Sequence, residues 1–199
     1  MIDDEEILTV PDVAGWKAWL SEHHEHSTGI WLRLAKKGTQ EPTRLSYSEA
    51  LDEALCHGWI DGQVRRLDEL TFRQRFTPRR SRSMWSKRNV AHVARLTKEG
   101  RMKAAGVAAV ERAKADGRRE TAYEGQAKME VPADLASALE AEPRAKAMFE
   151  ILSSQNRYSV LLRTANAKRA DTRARRIEQF VAMLARGETP HPQKRKLPD

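Results

Sequence analysis

The spacing of apolar residues in the first third of the chain predicts a helix followed by a strand. Apolar residues recur every three or four positions after Asp12, which can cap a helix that runs through about His24. Apolar and polar residues then alternate over residues 29–35, as they do in a strand with one buried face. The residues that this alternation assigns to the buried face are Ile30, Leu32 and Leu34.

A second helix and a hairpin are predicted next. Ser46 and Glu49 have the spacing of a capping box, and Gly58 stands where the helix that they begin should end. Residues 60–65 and 71–77 alternate in the manner of the two arms of an antiparallel hairpin. Its predicted apolar face carries Ile60, Val64, Phe72 and Phe76. Its predicted charged face carries Asp61, Gln63, Arg65, Arg73 and Arg75.

The rest of the chain has helical periodicity. Two helices are predicted between Ser86 and Gly117, and four helical stripes follow Pro132. The fold class predicted from these patterns is α+β, with an antiparallel sheet flanked by helices and a small helical C-terminal module. The predicted organisation is an α+β domain over residues 1–117, a linker over 118–132, a helical module over 133–187 and a disordered tail over 188–199.

Length and composition limit the compartment and the class of protein. The 199 residues contain no run that approaches eighteen apolar residues, and the acidic start lacks the features of a signal peptide. The single cysteine, Cys56, cannot form an internal disulfide, and no cysteine and histidine spacing is typical of a zinc site. These features predict a cytoplasmic protein without membrane insertion.

Charge is distributed unevenly along the chain. Residues 1–62 carry a net charge of −7, residues 63–118 carry +11, and residues 119–199 carry +4, which together make +8. A basic segment of this kind favours phosphates and other polyanions. Alternatively, the positive middle of the chain complements the acidic first third within one fold.

The candidate site is a group of side chains between residues 59 and 85. Arginine offers a planar fork that matches a carboxylate or a phosphate, and tryptophan supplies a flat wall on which a guanidinium can stack. The predicted ligand-binding residues are Trp59, Asp61, Arg73, Arg75, Arg79, Arg80 and Trp85. If they converge, they form a small anion-binding pocket in which Asp61 orients the arginines. Alternatively, Asp61 forms an ordinary cross-strand ion pair, and the two tryptophans pack beneath long arginines.

No arrangement typical of catalysis is evident in the sequence. Cys56 and His57 are adjacent, but neighbours on a helix point about 100° apart, so Cys56 is predicted to be a small buried residue. His23, His24 and His26 lack a suitably spaced third ligand and are predicted to form a surface cluster. No phosphate-binding loop or dinucleotide motif occurs. No catalytic residue, metal or cofactor is therefore predicted, and binding is favoured over enzymatic activity.

Several motifs resemble those of the bacterial YdeI/OmdA family, described as bacteriocin protection, YdeI or OmpD-associated. The matching segments are residues 53–62, with Gly-Trp-Ile-Asp-Gly at 58–62, then 76–80, 85–89, 100–102, 167–169 and 172–177. The resemblance implies a YjbR/CyaY-like N-terminal domain, in which helices pack on one face of an antiparallel sheet, and a helical C-terminal module. It implies a role in bacteriocin or stress tolerance and names no reaction.

The sequence leaves three functions open. The first is a non-catalytic protein of the YdeI/OmdA type that binds a protein partner or an anionic ligand. The second is a nucleic-acid-binding protein that uses the basic segment 63–118. The third is an uncharacterised enzyme with its site at Trp59, Asp61 and Trp85.

Overall fold

The structure, a computed structural model, describes residues 6–81, 83–119, 122 and 129–197. The chain forms two compact units, Met1–Ala122 and Tyr123–Asp199. Their division falls inside the predicted linker 118–132, and residues 120–121 and 123–128 of that linker lie outside the described residues.

The N-terminal unit combines four strands with four helices, so its α+β class is confirmed. In chain order its elements are β1 Ile7–Leu8, α1 Val13–His23, β2 Ile30–Ala35, α2 Tyr47–Cys56, β3 Trp59–Arg66, β4 Thr71–Pro78, α3 Lys87–Lys98 and α4 Ala104–Ala115.

One sheet contains all four strands, in the order β1-β2-β4-β3. Strand β4 pairs antiparallel with both β2 and β3, as the hairpin pattern predicts. The short β1 pairs parallel with β2, so the sheet is mixed rather than wholly antiparallel. The reason is that α1 connects these two strands, and a helical crossover returns the chain in the same direction.

Local capping sets where the first helices begin and end. The carboxylate of Asp12 accepts hydrogen bonds from the backbone N–H groups of Ala14 and Gly15 at the start of α1. Ser46 and Glu49 form both halves of the predicted capping box. After α2, Gly58 adopts a φ of 75°, which side chains other than glycine rarely tolerate. These boundaries therefore follow from short-range interactions.

The register of β3 differs from the predicted alternation. Asp61 pairs with Phe76 and Arg65 pairs with Arg73, with a bulge between Asp61 and Val64. Because a bulge adds one residue to one strand, side chains before and after it have opposite parity. The prediction that Asp61 shares a face with Arg73 and Arg75 is therefore wrong. The prediction that Arg65 shares a face with Arg73 and Arg75 is confirmed.

The same bulge corrects the apolar face. Ile60 pairs with Thr77, so it lies on the side opposite Phe76 and not beside it. Val64 pairs with Gln74 on the side of Phe76, but it remains 61% exposed at the edge of the sheet. The side-chain amide of Gln74 donates to the carbonyl oxygen of Gly62 at 2.8 Å, within the bulge.

The helices cover one side of this sheet. Phe76, Leu32 and Leu34 are fully buried there, in a cluster that includes residues of α1, α2, α3 and α4. Trp16 of α1 packs on Phe76 with a centroid separation of 5.6 Å. Helix α4 approaches the end of α2 so closely that a Cβ at Gly106 would lie 2.2 Å from the carbonyl oxygen of Cys56.

The C-terminal unit is helical, as predicted. Its elements are α5 Ala133–Glu140, α6 Pro143–Glu150, α7 Ser154–Ala165 and α8 Ala170–Ala185. A separate apolar cluster centred on Leu135, Met148 and Leu184 forms its core. Among the described residues of both units, no helix combines the length and the apolar character that a membrane span requires.

The tail after residue 187 has contacts that its composition does not predict. The amide of Asn156, which is fully buried in α7, donates to the carbonyl oxygen of His191 and to Gln193, each at 2.9 Å. His191 returns a backbone hydrogen bond to Asn156 at 2.8 Å. Within the predicted disordered tail, His191 and Gln193 are therefore hydrogen-bonded to α7.

Candidate functional site

The side of the sheet that the core helices do not cover carries a concentration of arginines. Cross-strand partners share a face, so the register places five residues together opposite the Phe76 side. These residues, which we call the arginine face, are Trp31, Arg33, Arg65, Arg73 and Arg75.

Three of these arginines oppose one another directly. Arg73 of β4 pairs with Arg33 on one side and with Arg65 on the other. Directly paired residues have Cα atoms only about 5 Å apart, and like charges in such positions are destabilising. The carboxylate of Asp68 lies 3.9 Å from the guanidinium of Arg33, a long and partly exposed ion pair. Asp68 is therefore only a distant acidic partner for Arg33.

Trp31 anchors two of the arginines. It is 2% exposed, yet it lies outside the apolar cluster on the other side of the sheet. The guanidinium carbons of Arg73 and Arg65 lie 4.7 Å and 5.2 Å from the centre of its ring. Such cation–π contacts hold flat guanidinium groups in fixed orientations. The Trp31 ring is therefore covered by cations.

Arg73 is buried and has no hydrogen-bonded carboxylate among the residues that the structure describes. Its residue is 8% exposed, and its Nε has no hydrogen-bond partner among the described residues. The Nε of Arg33 is in the same condition. Burying a charge is costly unless it is paired and hydrogen-bonded.

The seven residues predicted to bind a ligand do not converge on one point. Only Arg73 and Arg75 belong to the arginine face. Asp61 lies on the helix-covered side, where its carboxylate accepts a hydrogen bond from the hydroxyl of Tyr47 at 2.8 Å. Burial and the neighbouring Asp61 raise the pKa of Tyr47, which keeps this hydroxyl a donor. Asp61 therefore joins β3 to α2 instead of orienting Arg73 and Arg75.

The remaining predicted residues surround the ends of β3 and β4. The Arg79 guanidinium stacks 3.8 Å above the Trp85 ring, and its Nη1 donates to the carbonyl oxygen of Met84 at 3.1 Å. Trp59 is buried, and its indole N–H donates to the carbonyl oxygen of His24 at 3.1 Å. Arg80 is exposed. The alternative that tryptophan packs beneath arginine therefore describes Trp85.

Part of the basic segment 63–118 is neutralised by ion pairs. The pairs in this segment include Arg66 with Glu69, Arg95 with Asp52 and Glu99, Arg101 with Glu53, Lys114 with Glu111, and Arg118 with Asp116. Asp52 and Glu53 belong to the acidic first third of the chain. The alternative that the two segments complement each other therefore accounts for part of the charge, and the arginine face stands out from the remainder.

Cys56 and His57 do not form a catalytic pair. Burial raises the pKa of the Cys56 thiol to about 11, so the nucleophilic thiolate is disfavoured. The Nδ1 of His57 lies 2.9 Å from the carbonyl oxygen of Glu53, one turn back on the same helix. Among the described residues, no group of three or more histidine, cysteine, aspartate or glutamate side chains is placed to hold a metal ion.

Three residues of the arginine face, Trp31, Arg33 and Arg65, are not among the predicted ligand-binding residues, and the sequence contained a signal for the two that lie on β2. The alternation that assigns Ile30, Leu32 and Leu34 to the buried side of β2 also assigns Trp31 and Arg33 to the other side. The alternation could not predict which strand lies beside β2, because the pairing of β2 with β4 joins residues about forty positions apart.

Two family models match different parts of the chain. Residues 8–109, just over half of the chain, match the model described as Domain of unknown function (DUF8412). The chain belongs to the DUF8412 family. The match includes all four strands of the N-terminal unit except for the first residue of β1, and it extends into α4. The arginine face is therefore part of the DUF8412 domain.

The second match concerns the C-terminal unit. Residues 128–187 match the OmdA model, described as Bacteriocin-protection, YdeI or OmpD-Associated. This DUF8412 protein therefore carries an OmdA module in helices α5–α8, which supports its resemblance to the YdeI/OmdA family. The N-terminal match is to DUF8412 and not to a YjbR/CyaY-like domain. Neither a curated protein nor a solved structure matches the chain significantly.

His57 should make folding of the DUF8412 domain sensitive to mild acid. Burial lowers the pKa of His57 below its ordinary value of 6.5, so the unfolded chain takes up this proton first. The free energy of unfolding should therefore fall as pH drops through the unfolded value, and level off below the folded one. We expect the urea midpoint to fall less for His57→Phe than for the wild type between about pH 7.5 and 5.5. An equal fall in both proteins would contradict this assignment.

Proposed function

We propose that this DUF8412 protein is a non-catalytic binding protein that holds a phosphate-bearing ligand on its arginine face. The observation that carries the proposal is the row of directly opposed Arg33, Arg73 and Arg65, with buried Arg73 at its centre. Such a row is unfavourable for folding, and it is useful where an anion must be bound.

Other arginines of the same domain support this interpretation by contrast. Arg95 and Arg101, which join α3 and its C-terminal end to α2, each have a carboxylate within 2.6 Å. Arg44 likewise lies 2.7 Å from Asp12. Arginines with a structural role in this fold are therefore supplied with close acidic partners. Arg33 has only a distant one, and Arg73 has no hydrogen-bonded one among the described residues.

A nucleic-acid strand is the second candidate ligand, and the length of the row favours it. The row extends across three strands, which lie about 4.8 Å apart, so it can contact more than one phosphate. Because guanidinium groups already cover Trp31, the face offers phosphate contacts rather than base stacking. Binding should therefore depend on salt and little on base sequence.

The experiment compares two arginines that are neighbours in β3. Arg65 belongs to the arginine face, whereas Arg66 pairs with Glu69 and lies on the other side of the sheet. We expect Arg65→Gln to weaken binding of inorganic polyphosphate and of a single-stranded oligonucleotide by about tenfold at about 50 mM salt. Arg66→Gln removes the same charge from the same strand and should change binding little.

The same experiment has a stability readout. Arg33→Gln should weaken binding and raise the free energy of unfolding by about 0.2–1 kcal/mol, because it removes a like charge opposite Arg73. Arg44→Gln, which removes a close ion pair, should lower it. The proposal fails if neither polyanion binds at low salt, if Arg66→Gln weakens binding as much as Arg65→Gln, or if Arg33→Gln destabilises the protein.

The biological setting belongs to the same proposal. The OmdA module supports a role of the bacteriocin-protection type in a bacterial cell, and we assign the protein to the cytoplasm on its single cysteine. We also propose that the N-terminal domain is related to YjbR/CyaY-like domains. The packing of helices on one side of its sheet supports this relationship. The proposal does not include an enzyme with its site at Trp59, Asp61 and Trp85. The Asp61 carboxylate accepts a hydrogen bond from Tyr47, and the Arg79 guanidinium stacks on the Trp85 ring.

A further inference from the structure

A small pocket lies at the end of the helix-covered side of the sheet, away from the arginine face. Helices α1 and α2 end there, β3 begins and β4 ends, and α4 closes the side. Its volume is about 190 Å³, the space of about six water molecules at about 30 Å³ each. The side chains that give it chemical character are His24, Glu25, His57, Trp59, Arg79 and Arg112.

Two histidines with the same geometry contribute to the wall. His24 and His57 directly follow α1 and α2 as their C-cap residues, and the Nδ1 of each lies within 2.9 Å of the carbonyl oxygen one turn back. Because a carbonyl oxygen only accepts, Nδ1 carries the proton in both rings, and Nε2 is left to accept one. The rings meet edge to face with centroids 5.2 Å apart.

Two guanidinium groups give the pocket a positive character. Arg79 is held flat on Trp85, so its orientation is fixed by stacking and by its bond to Met84. Arg112 comes from the last turn of α4. Glu25 is the carboxylate among the lining residues, and it lies 3.8 Å from Nε2 of His24. Two guanidinium groups and two imidazole rings therefore line the pocket together with one carboxylate.

We propose that this pocket binds a small oxyanion, a carboxylate or a phosphate, and that His57 takes up a proton when the anion binds. A guanidinium fork provides the hydrogen bonds that such an anion accepts. When the imidazole of His57 is protonated, its Nε2 can donate to the anion, because Nδ1 already donates to a backbone carbonyl oxygen. None of the residues that line this pocket belongs to the arginine face, so the two sites are separate.

The charges around His57 determine the sign of the pH dependence. Its own helix contributes Glu53, α1 contributes His24, and the start of α4 contributes Lys103. Arg79, directly after β4, and Arg112 of α4 line the same pocket, as does Glu25 from the segment after α1. Burial is the main cause that lowers the pKa of His57, and the nearby His24 and Lys103 also oppose its protonation. A bound anion reverses that balance, so affinity should rise as pH falls.

Titration calorimetry with inorganic phosphate and with acetate tests the proposal. We expect saturable binding of at least one anion, with an affinity about tenfold higher near pH 6 than near pH 8. Repeating the titration in buffers of different ionisation enthalpy should reveal net proton uptake. Arg112→Gln should weaken binding at least fivefold. Lys114→Gln removes a charge from the same helix outside the pocket and should leave binding unchanged.

Further variants separate this site from the arginine face. His57→Gln should abolish most of the pH dependence, and the imidazole signals of His24 and His57 in the wild-type protein should move on titration with the anion. Arg65→Gln should leave this binding unchanged, whereas it weakens polyanion binding if the proposed function holds. The inference is overturned if neither anion saturates the protein, if binding takes up no proton, or if Lys114→Gln weakens it as much as Arg112→Gln.

Discussion

Replacing Gly106 with alanine is expected to destabilise the N-terminal unit by about 3 kcal/mol. A Cβ at this position would lie 2.2 Å from the carbonyl oxygen of Cys56 and 2.9 Å from that of Leu55. Both atoms belong to the backbone at the end of α2, so no side chain can move aside. The backbone N–H of Lys103 also donates to the oxygen of Cys56 at 3.0 Å, which fixes α4 against α2.

The sign of the change in the free energy of unfolding shows whether tight packing or helix propensity dominates at position 106. Gly106 lies within a helix, where alanine is ordinarily favoured over glycine by about 1 kcal/mol. Urea denaturation of Gly106→Ala measures which effect dominates, with Ala104→Gln as the control because Ala104 is exposed in the same helix. We expect the control to stay within about 0.5 kcal/mol of the wild type. A stabilised Gly106→Ala protein would show that α4 does not approach α2 this closely.

Replacing Arg101 with methionine is expected to cost about 2–3 kcal/mol of stability. Glu53 is 6% exposed, and its carboxylate accepts a hydrogen bond from Nη2 of Arg101 at 2.6 Å. Removing the arginine leaves that buried carboxylate without its cation. The estimate lies below the usual cost of breaking a fully buried pair, because the Arg101 side chain is 36% exposed and therefore partly screened.

A double-mutant cycle makes this expectation specific. Glu53→Leu should cost less than Arg101→Met, because the partly exposed guanidinium can still reach Glu99, which lies 3.3 Å away. Glu53→Leu combined with Arg101→Met should recover most of the loss, since it leaves no buried charge. Lys114→Met breaks the exposed pair with Glu111 and should cost less than about 0.5 kcal/mol. Additive losses in the double variant would contradict a buried-charge mechanism.

The sequence by itself determined the elements whose causes are local. Asp12, Ser46 and Gly58 mark helix boundaries that lie where they were expected, because capping and glycine turns involve neighbours a few residues away. The hairpin and the helical C-terminal module were predictable for the same reason, since side-chain periodicity is read along one segment. The α+β class followed from the order of these segments.

Tertiary structure decided the site. A bulge between Asp61 and Val64 reversed the parity of β3, and this sent Asp61 to Tyr47 instead of to the arginines. No pattern within β3 predicts this bulge, because contacts with the adjacent strand stabilise it. One such contact is the hydrogen bond from the Gln74 side chain to the carbonyl oxygen of Gly62.

The arginine face has the same origin. Arg33, Arg65 and Arg73 come from three strands, and only the pairing of β2, β4 and β3 brings them into one row. Likewise, the contacts of residues 191 and 193 with Asn156 join positions that no periodicity connects. Local sequence specifies each element and the direction of its faces, whereas the juxtaposition of charges depends on register between distant segments, which only the folded chain establishes.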